Sequence, residues 1–132
     1  MKAVYQYVRR NYHWDGQYSL YASQDQKKFA EQRTGSSAEI NLTLVNLLRN
    51  AGINSDPLLI RTKDLGMPEK MFPVKDQFNH VIAWAEIGGV EYLLDATGES
   101  SDPGRLNKLD IGTEGWLVRT ENLRWIDIFT RY

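Results

Sequence analysis

Serine, histidine and aspartate, the residue types of an acyl-transfer triad, are all present in segments that are predicted to be structured. Ser36 and Ser37 stand together in the stretch RTGSSAEI, and His80 and Asp95 follow in two later apolar segments. An imidazole can activate a hydroxyl for attack on an amide or ester, while a carboxylate keeps the imidazole in one tautomer. Such chemistry requires that the fold bring the three groups into contact.

The two serines lie at the predicted start of a helix. Apolar residues from position 40 onward recur at helical spacing over so much of the circumference that the helix is expected to be central: Ile40, Leu42, Leu44, Val45, Leu47, Leu48 and Ala51. Gly52 supplies the stop. Ser36-Ser37-Ala38-Glu39 has the form of a capping box, with Ser36 as N-cap and Glu39 reaching back to it. We therefore expect the serines to close the helix end rather than to attack a carbonyl.

A β-hairpin is predicted where FNHVIAWAEI and VEYLLDAT flank Gly88-Gly89. A two-residue turn pairs Ile87 with Val90 and Trp84 with Leu93. Because side chains alternate between the two faces of a strand, His80 and Asp95 then share a face as diagonal neighbours. Their Cα atoms would lie about 7–8 Å apart, within hydrogen-bond reach of the side chains.

Two interpretations of His80 remain open. A carboxylate beside an imidazole stabilises its charged form, and such pairs mark functional sites. Alternatively, His80 is a partly buried strand histidine satisfied by whatever polar group lies near. His13, beside Trp14, has no such partner and is predicted to be structural.

The remaining elements are predicted from periodicity and turn residues. A short helix ends near Asn11, and a second runs from a cap at Ser23–Gln26 to about Gln32. A buried strand is entered through Pro57, and GWLVR and RWIDIF are two closing strands. The stretches DLGMPEKMFPVKDQ and ESSDPGRLNKLDIGTE are predicted loops. Helices first and antiparallel strands afterwards indicate an α+β fold in one domain, residues 1–132.

Composition excludes several classes of function. With 16 Lys plus Arg against 17 Asp plus Glu, the net charge of −1 offers no electrostatic footprint for a nucleic acid. The absence of cysteine rules out disulfides, thiolate metal sites and a cysteine nucleophile. Two histidines without a thiol make a poor metal set, so neither a metal nor another cofactor is expected. No apolar run reaches the length of a membrane span, about 20 residues.

The sequence resembles the bacterial transglutaminase-like domain of the papain-like fold. The resemblance lies in the order of three features: a glycine turn into a central helix, a strand histidine and a following DAT. AEINLTLVNLLRNAGI, FNHVIAW and YLLDAT carry the resemblance, which extends from about Val4 to Thr97. It implies a central helix packed on an antiparallel sheet. It also implies a triad in which His80 and Asp95 take the histidine and aspartate positions. Ser37 falls where that family has its nucleophilic cysteine.

The serine at this position makes catalysis doubtful. A helix N-terminus and a nearby imidazolium can turn a thiol into a thiolate, but an alcohol ionises far too weakly for the same effect. The resemblance therefore implies a non-catalytic binding or structural module of a longer bacterial protein. The alternative is a Ser37–His80–Asp95 hydrolase of amides or esters.

The resemblance also implies partners and a location. A peptide or a glycan-linked peptide would bind in the cleft between the central helix and the hairpin. Candidates to line that cleft are Trp14, Phe78 and Trp84. Neighbouring domains of the same chain would be further partners. Because members of that family are often secreted or periplasmic, the resemblance also implies a periplasmic or cell-envelope location. No nucleic acid and no membrane span are expected.

Overall fold

A computed structural model describes residues 1–21, 24, 26–62, 78–98, 106, 110, 114–118 and 124–128. Within these ranges the helices precede a five-stranded antiparallel sheet, which confirms the predicted α+β class. In chain order the elements are α1 (Lys2–Asn11), β1 (His13–Trp14), α2 (Gln26–Gln32), β2 (Thr34–Gly35), α3 (Ser37–Asn50), β3 (Asn54–Ile60), β4 (His80–Ile87), β5 (Val90–Leu94), β6 (Glu114–Leu117) and β7 (Arg124–Asp127). No helix in the described ranges is long and apolar enough to cross a membrane.

The start of α3 confirms the predicted capping box. The Glu39 backbone N–H donates to Ser36 Oγ, and the Ser36 backbone N–H donates to Glu39 Oε1. The Glu39 side chain is buried against Gly35, where an added Cβ would come within 2.7 Å of Glu39 Oε1 and of the Phe29 ring. Glycine is therefore required at the turn that leads into α3.

The hairpin has the predicted register. Ile87 pairs with Val90 and Trp84 pairs with Leu93. Both turn residues, Gly88 and Gly89, have positive φ values of 58° and 80°, as a type I′ turn requires. The two-residue turn thus sets which side chains of β4 and β5 share a face.

The central strand β3 begins earlier than predicted, at Asn54, so that Pro57 lies inside the strand rather than at its entrance. The sheet order is β5-β4-β3-β6-β7. β4 pairs along the whole of β3, whereas β6 pairs only with residues 58–60. Proline is tolerated at position 57 because the ladder with β6 ends there: Pro57 O still accepts from the Val118 N–H at 3.0 Å, and only the N–H that proline lacks is lost.

Two apolar clusters cover opposite faces of the sheet. On one face α1 and α3 pack against Ala83, Ala85 and Leu94. On the other face Ile82, Trp84 and Leu93 pack with residues of β3, β6 and β7 and with Leu106. The sheet is thus buried on both faces in its centre, where the polar residues of β4 must also find partners.

A short parallel pairing of β1 with β2 was not predicted. His13 pairs with Thr34 and Trp14 with Gly35, which ties the segment after α1 to the turn before α3. The predicted cap of α2 lies partly outside the described residues, as do the whole of the first predicted loop and all of the second except Leu106, Asp110 and Glu114.

Candidate active site

His80 and Asp95 are in contact, as the hairpin register predicts. His80 is the first residue of β4 and Asp95 directly follows β5, at the open end of the hairpin. His80 Nε2 lies 2.9 Å from Asp95 Oδ2, and the two residues are 0% and 2% exposed. The imidazole and the carboxylate therefore form a buried, hydrogen-bonded pair.

The other oxygen of Asp95 is held by the helix and by its own turn. Asp95 Oδ1 accepts hydrogen bonds from Asn41 Nδ2 at 2.9 Å, from the Thr97 backbone N–H at 3.0 Å and from Thr97 Oγ1 at 2.6 Å. A buried carboxylate is costly unless hydrogen bonds replace its water. These donors provide that replacement and fix the orientation of the carboxylate toward His80.

Asn41 was not among the predicted site residues. Besides its bond to Asp95, its Nδ2 donates to Val81 O at 2.8 Å, and its Oδ1 accepts from the Ala96 backbone N–H at 2.9 Å. The sequence did contain a signal, because an amide on the apolar girth of a central helix must find buried partners. Asn41 joins α3 to both strands of the hairpin.

A second carboxylate lies beside the imidazole. Asp110 is fully buried, and its Oδ1 lies 3.3 Å from His80 Nε2. Neither oxygen of Asp110 has a hydrogen-bond partner among the described residues. Asp110 comes from the second predicted loop, and nothing in its local sequence pattern indicated that it would reach His80.

The three ionisable groups shift one another's pKa. Burial alone would lower the pKa of His80, but attraction by Asp95 and then by Asp110 outweighs it and raises the pKa to about 10. Burial likewise opposes the ionisation of Asp95, yet His80 holds the pKa of Asp95 well below its usual range. Burial, followed by repulsion from Asp95, raises the pKa of Asp110 well above its usual value. Asp95 therefore carries the negative charge that pairs with the imidazolium.

Ser37 is the first residue of α3, and its side chain is engaged elsewhere. The residue is 0% exposed. Its Oγ accepts from the Ser19 backbone N–H at 2.9 Å and donates to Ser19 O at 3.3 Å. Among the described residues His80 Nδ1 has no hydrogen-bond partner, so Ser37 does not bond to the imidazole. Asn41 lies four residues after Ser37 on the same helix face, which places Ser37 one turn, about 6 Å along the axis, from the contact with Asp95.

The segment from Asp15 to Tyr21, called the arm here, covers both parts of the site. The Ser37 backbone N–H donates to Gln17 O at 3.0 Å, and the Trp14 indole N–H donates to the same oxygen at 2.8 Å. The Tyr18 ring meets the His80 ring edge-on, with 4.7 Å between the centroids. The arm thus stands over the serine and the imidazole together.

The aromatic residues predicted to line a cleft lie largely in the core. Phe78 and Trp84 are 4% and 1% exposed, and Phe78 packs on Trp125. Their assignment to a cleft is wrong, because both side chains are buried, and Trp84 belongs to the apolar cluster on the face of the sheet away from α3. An apolar groove of about 230 Å³ lies instead beside the arm, between Leu20 and Tyr21 of the arm, Leu42 of α3 and Leu59 of β3.

Comparisons with known proteins support the fold and nothing finer. A scan against models of known families gives no match, and a search of the curated proteins gives none. A solved structure of a candidate protease from Parabacteroides distasonis is 16% identical, with a TM-score of 0.63 over 95% of this chain and 23% of that chain. A candidate cysteine protease from Cytophaga hutchinsonii is 21% identical, with a TM-score of 0.48 over 72% of this chain and 29% of that chain.

The likeness to the Parabacteroides structure concerns the fold, since an identity of 16% is too low to transfer an activity. It covers nearly the whole of this chain, whereas this chain spans about a quarter of the length of either protein. The α+β fold found here is thus shared with a structure that is described as a protease.

Proposed function

We propose that this chain is a transglutaminase-like domain without a working nucleophile, which serves as a non-catalytic module of a longer protein. The order of the glycine turn, the strand histidine and the DAT segment supports the family, and the fold shared with a candidate protease agrees with it. The observation that carries the loss of catalysis is the hydroxyl of Ser37, which bonds to the arm instead of to His80.

A serine nucleophile needs its proton removed by the base during attack. The hydrogen bond that Ser37 donates goes to Ser19 O, and its lone pair accepts from Ser19 N–H. Attack would require that both bonds break and that the buried side chain turn toward His80. Misplacement of a reacting atom by about 1 Å can already cost about 10²-fold in rate.

The donor that would stabilise a developing oxyanion is also occupied. Backbone N–H groups at a helix N-terminus are suited to that task, and the Ser37 N–H is the first of α3. It donates to Gln17 O at 3.0 Å. A substrate carbonyl would therefore have to displace the arm before it could be polarised.

In this proposal the polar cluster has a structural role. Asn41 and Asp95 connect α3 to β4 and to the end of β5 through buried hydrogen bonds. Both polar atoms of the Asn41 side chain and both oxygens of Asp95 are hydrogen-bonded, and satisfied buried bonds of this kind rigidify a core. The cluster then positions the helix on the sheet without taking part in a reaction.

The alternative, a Ser37–His80–Asp95 hydrolase, is supported by one observation, the hydrogen-bonded His80–Asp95 pair. A fluorophosphonate probe separates the two functions, because it forms a covalent bond only with an activated serine. We expect no labelling of the folded protein under conditions in which a serine hydrolase labels fully. Labelling that disappears in both Ser37→Ala and His80→Ala would overturn the proposal in favour of the hydrolase.

The Ser37→Cys variant tests how far the site geometry has changed. A cysteine at an intact thiolate–imidazolium site alkylates much faster than an exposed cysteine, because its pKa is depressed. The bonds to Ser19 and the burial of position 37 lead us to expect slow alkylation. A matched control is Ser19→Cys on the arm; faster reaction at position 37 than at 19 would show that catalytic geometry survives.

Binding of a peptide or a glycan-linked peptide belongs to the same proposal. The groove beside the arm, lined by Leu20, Tyr21, Leu42 and Leu59, is the place where an apolar side chain of such a partner would lie. Chemical-shift mapping with candidate peptides tests this role, and changes should centre on the groove. If a broad panel causes no shift there, the module is purely structural. An envelope location and contacts with neighbouring domains are implied by the family resemblance alone.

A further inference from the structure

We propose that His80, Asp95 and Asp110 bind a divalent transition-metal ion of the zinc type inside the domain. The ligand atoms of these three side chains lie within 4.8 Å of one another, and all three residues are buried. This site goes beyond the proposed function, because a structural ion requires neither a substrate nor a nucleophile. Its presence or absence is therefore decided separately from the test for catalysis.

The distances between the ligand atoms suit an ion. Zinc lies about 2.0–2.2 Å from nitrogen and carboxylate oxygen ligands, so two neighbouring ligands at angles of about 90–110° are roughly 3.0–3.4 Å apart. His80 Nε2 is 2.9 Å from Asp95 Oδ2 and 3.3 Å from Asp110 Oδ1. The third pair of ligand atoms, on Asp95 and Asp110, lies within 4.8 Å, so the two carboxylates flank the same side of the imidazole within reach of one ion.

Asp110 is the observation that points to a ligand. Its two oxygens are buried and have no hydrogen-bond partner among the described residues, although the side chain is directed at His80. Buried polar atoms without partners are rare, and an ion is one of the recognised explanations. If Asp110 binds through both oxygens, four donor atoms surround the ion, together with His80 Nε2 and Asp95 Oδ2. Three side-chain ligands, with a fourth position left to another group, is a number that zinc uses in proteins.

Asp95 already has the outer hydrogen bonds that metal ligands usually have. Its Oδ1 is held by Asn41 and Thr97, which leaves Oδ2 directed at His80. Outer bonds of this kind orient a ligating carboxylate and are a regular part of metal sites. The ion would replace a hydrogen bond between two groups whose positions are fixed in advance.

The donor set selects the type of ion. One imidazole and two carboxylates suit zinc, cobalt and manganese, whereas Ca²⁺ takes six to eight oxygens and Mg²⁺ keeps several waters. Binding of the ion would release the protons of His80 and Asp110 to solvent, after which the divalent ion neutralises the two carboxylate charges. The expectation of no metal from sequence considered histidines and cysteines alone and did not include a carboxylate from the second loop.

Thermal unfolding of the whole chain, stripped with a chelator and then supplied with Zn²⁺, tests the site. Excess Zn²⁺ should raise the Tm by about 5 °C or more, because the ion binds only the folded state. Mg²⁺ should leave the Tm unchanged. Asp110→Asn keeps the size of the side chain but should lose most of the shift. The matched control Glu86→Gln, an exposed carboxylate on the same strand as His80, should keep it.

The other histidine provides the second control. His13 is exposed, so His13→Gln removes the alternative imidazole that could hold zinc at the surface, and the shift should persist. Anomalous scattering at the zinc edge should place the ion within about 2.3 Å of His80 Nε2. The proposal is overturned if Zn²⁺ and Co²⁺ both leave the Tm unchanged, if Asp110→Asn shifts as much as the parent, or if the ion lies elsewhere.

Discussion

The two sides of the candidate site use their polar groups differently. On the hairpin side, His80 and Asp95 form the hydrogen-bonded pair that a catalytic triad would use. On the helix side, the hydroxyl of Ser37 is hydrogen-bonded to Ser19 of the arm and not to His80. Both sides are equally buried, so exposure does not explain the difference.

Substitutions on the two sides are expected to differ in how much stability they cost. Removing one member of a buried ion pair leaves the other charge without compensation, which costs about 3–5 kcal/mol. An uncharged side chain of similar size at a helix N-terminus changes little, since small polar residues are well tolerated there. Under the proposed function, position 37 therefore tolerates a change of side chain at little cost, whereas the imidazole–carboxylate pair is required for stability.

The largest predicted loss of stability comes from a substitution on the hairpin side. Asp95→Ala leaves the buried imidazolium without its main partner and should lower the free energy of unfolding by about 3–5 kcal/mol. Urea denaturation at neutral pH measures this loss. The exposed residue Glu86 is the control, because Glu86→Ala should change stability by less than about 0.5 kcal/mol. A loss below about 1 kcal/mol for Asp95→Ala would show that the pair does not stabilise the fold.

The second-largest predicted loss of stability comes from breaking the connection between the two sides. Asn41→Ala leaves Val81 O and the Ala96 N–H without their buried partner, and should cost about 2–3 kcal/mol. Asn46, exposed on the same helix, is the matched control, and Asn46→Ala should be nearly neutral. Equal losses for the two variants would contradict the role of Asn41 as the link between helix and hairpin.

The helix side should respond more weakly. Ser37→Ala removes the partner of both Ser19 backbone groups and should cost about 1–2 kcal/mol. Ser36→Ala removes the N-cap and should cost about 1 kcal/mol. Amide hydrogen exchange distinguishes the two variants, since only Ser37→Ala should speed exchange at Ser19. Unchanged exchange at that amide would mean that the hydroxyl does not hold the arm.

The smallest predicted effect is the change in the free energy of unfolding with pH, at most about 1.4 kcal/mol per pH unit for one group. In chelator-treated protein, the raised pKa of His80 contributes stability that is complete below its ordinary value of 6.5 and is lost as the pH rises through about 10. The raised pKa of Asp110 likewise lowers stability as the pH rises above the ordinary pKa of an aspartate. The lowered pKa of Asp95 has the opposite effect, so that its contribution to stability is lost only in acid. Denaturation curves from pH 6 to pH 10 should therefore show falling stability, and a flat profile would contradict the imidazolium.

Much of the fold could be predicted because its signals are local. The apolar stripe and capping box of α3 and the glycine pair of the hairpin each depend on residues that are close together in the sequence. The pairing of β1 with β2 could not be predicted, because two-residue strands carry no periodicity. The position of Pro57 inside β3 likewise depends on where β6 stops pairing, which β3 alone does not encode.

Local patterns in the amino-acid sequence are enough to specify the helix cap and the hairpin register, and through the register the contact of His80 with Asp95. Turn length and the two-residue alternation of strands are sufficient for that contact. Tertiary structure alone decided that the Ser37 hydroxyl bonds to the arm, that Asn41 reaches Asp95, and that Asp110 reaches His80. These contacts join segments far apart in the chain, and their partners are chosen by the packing of the whole domain rather than by any local pattern.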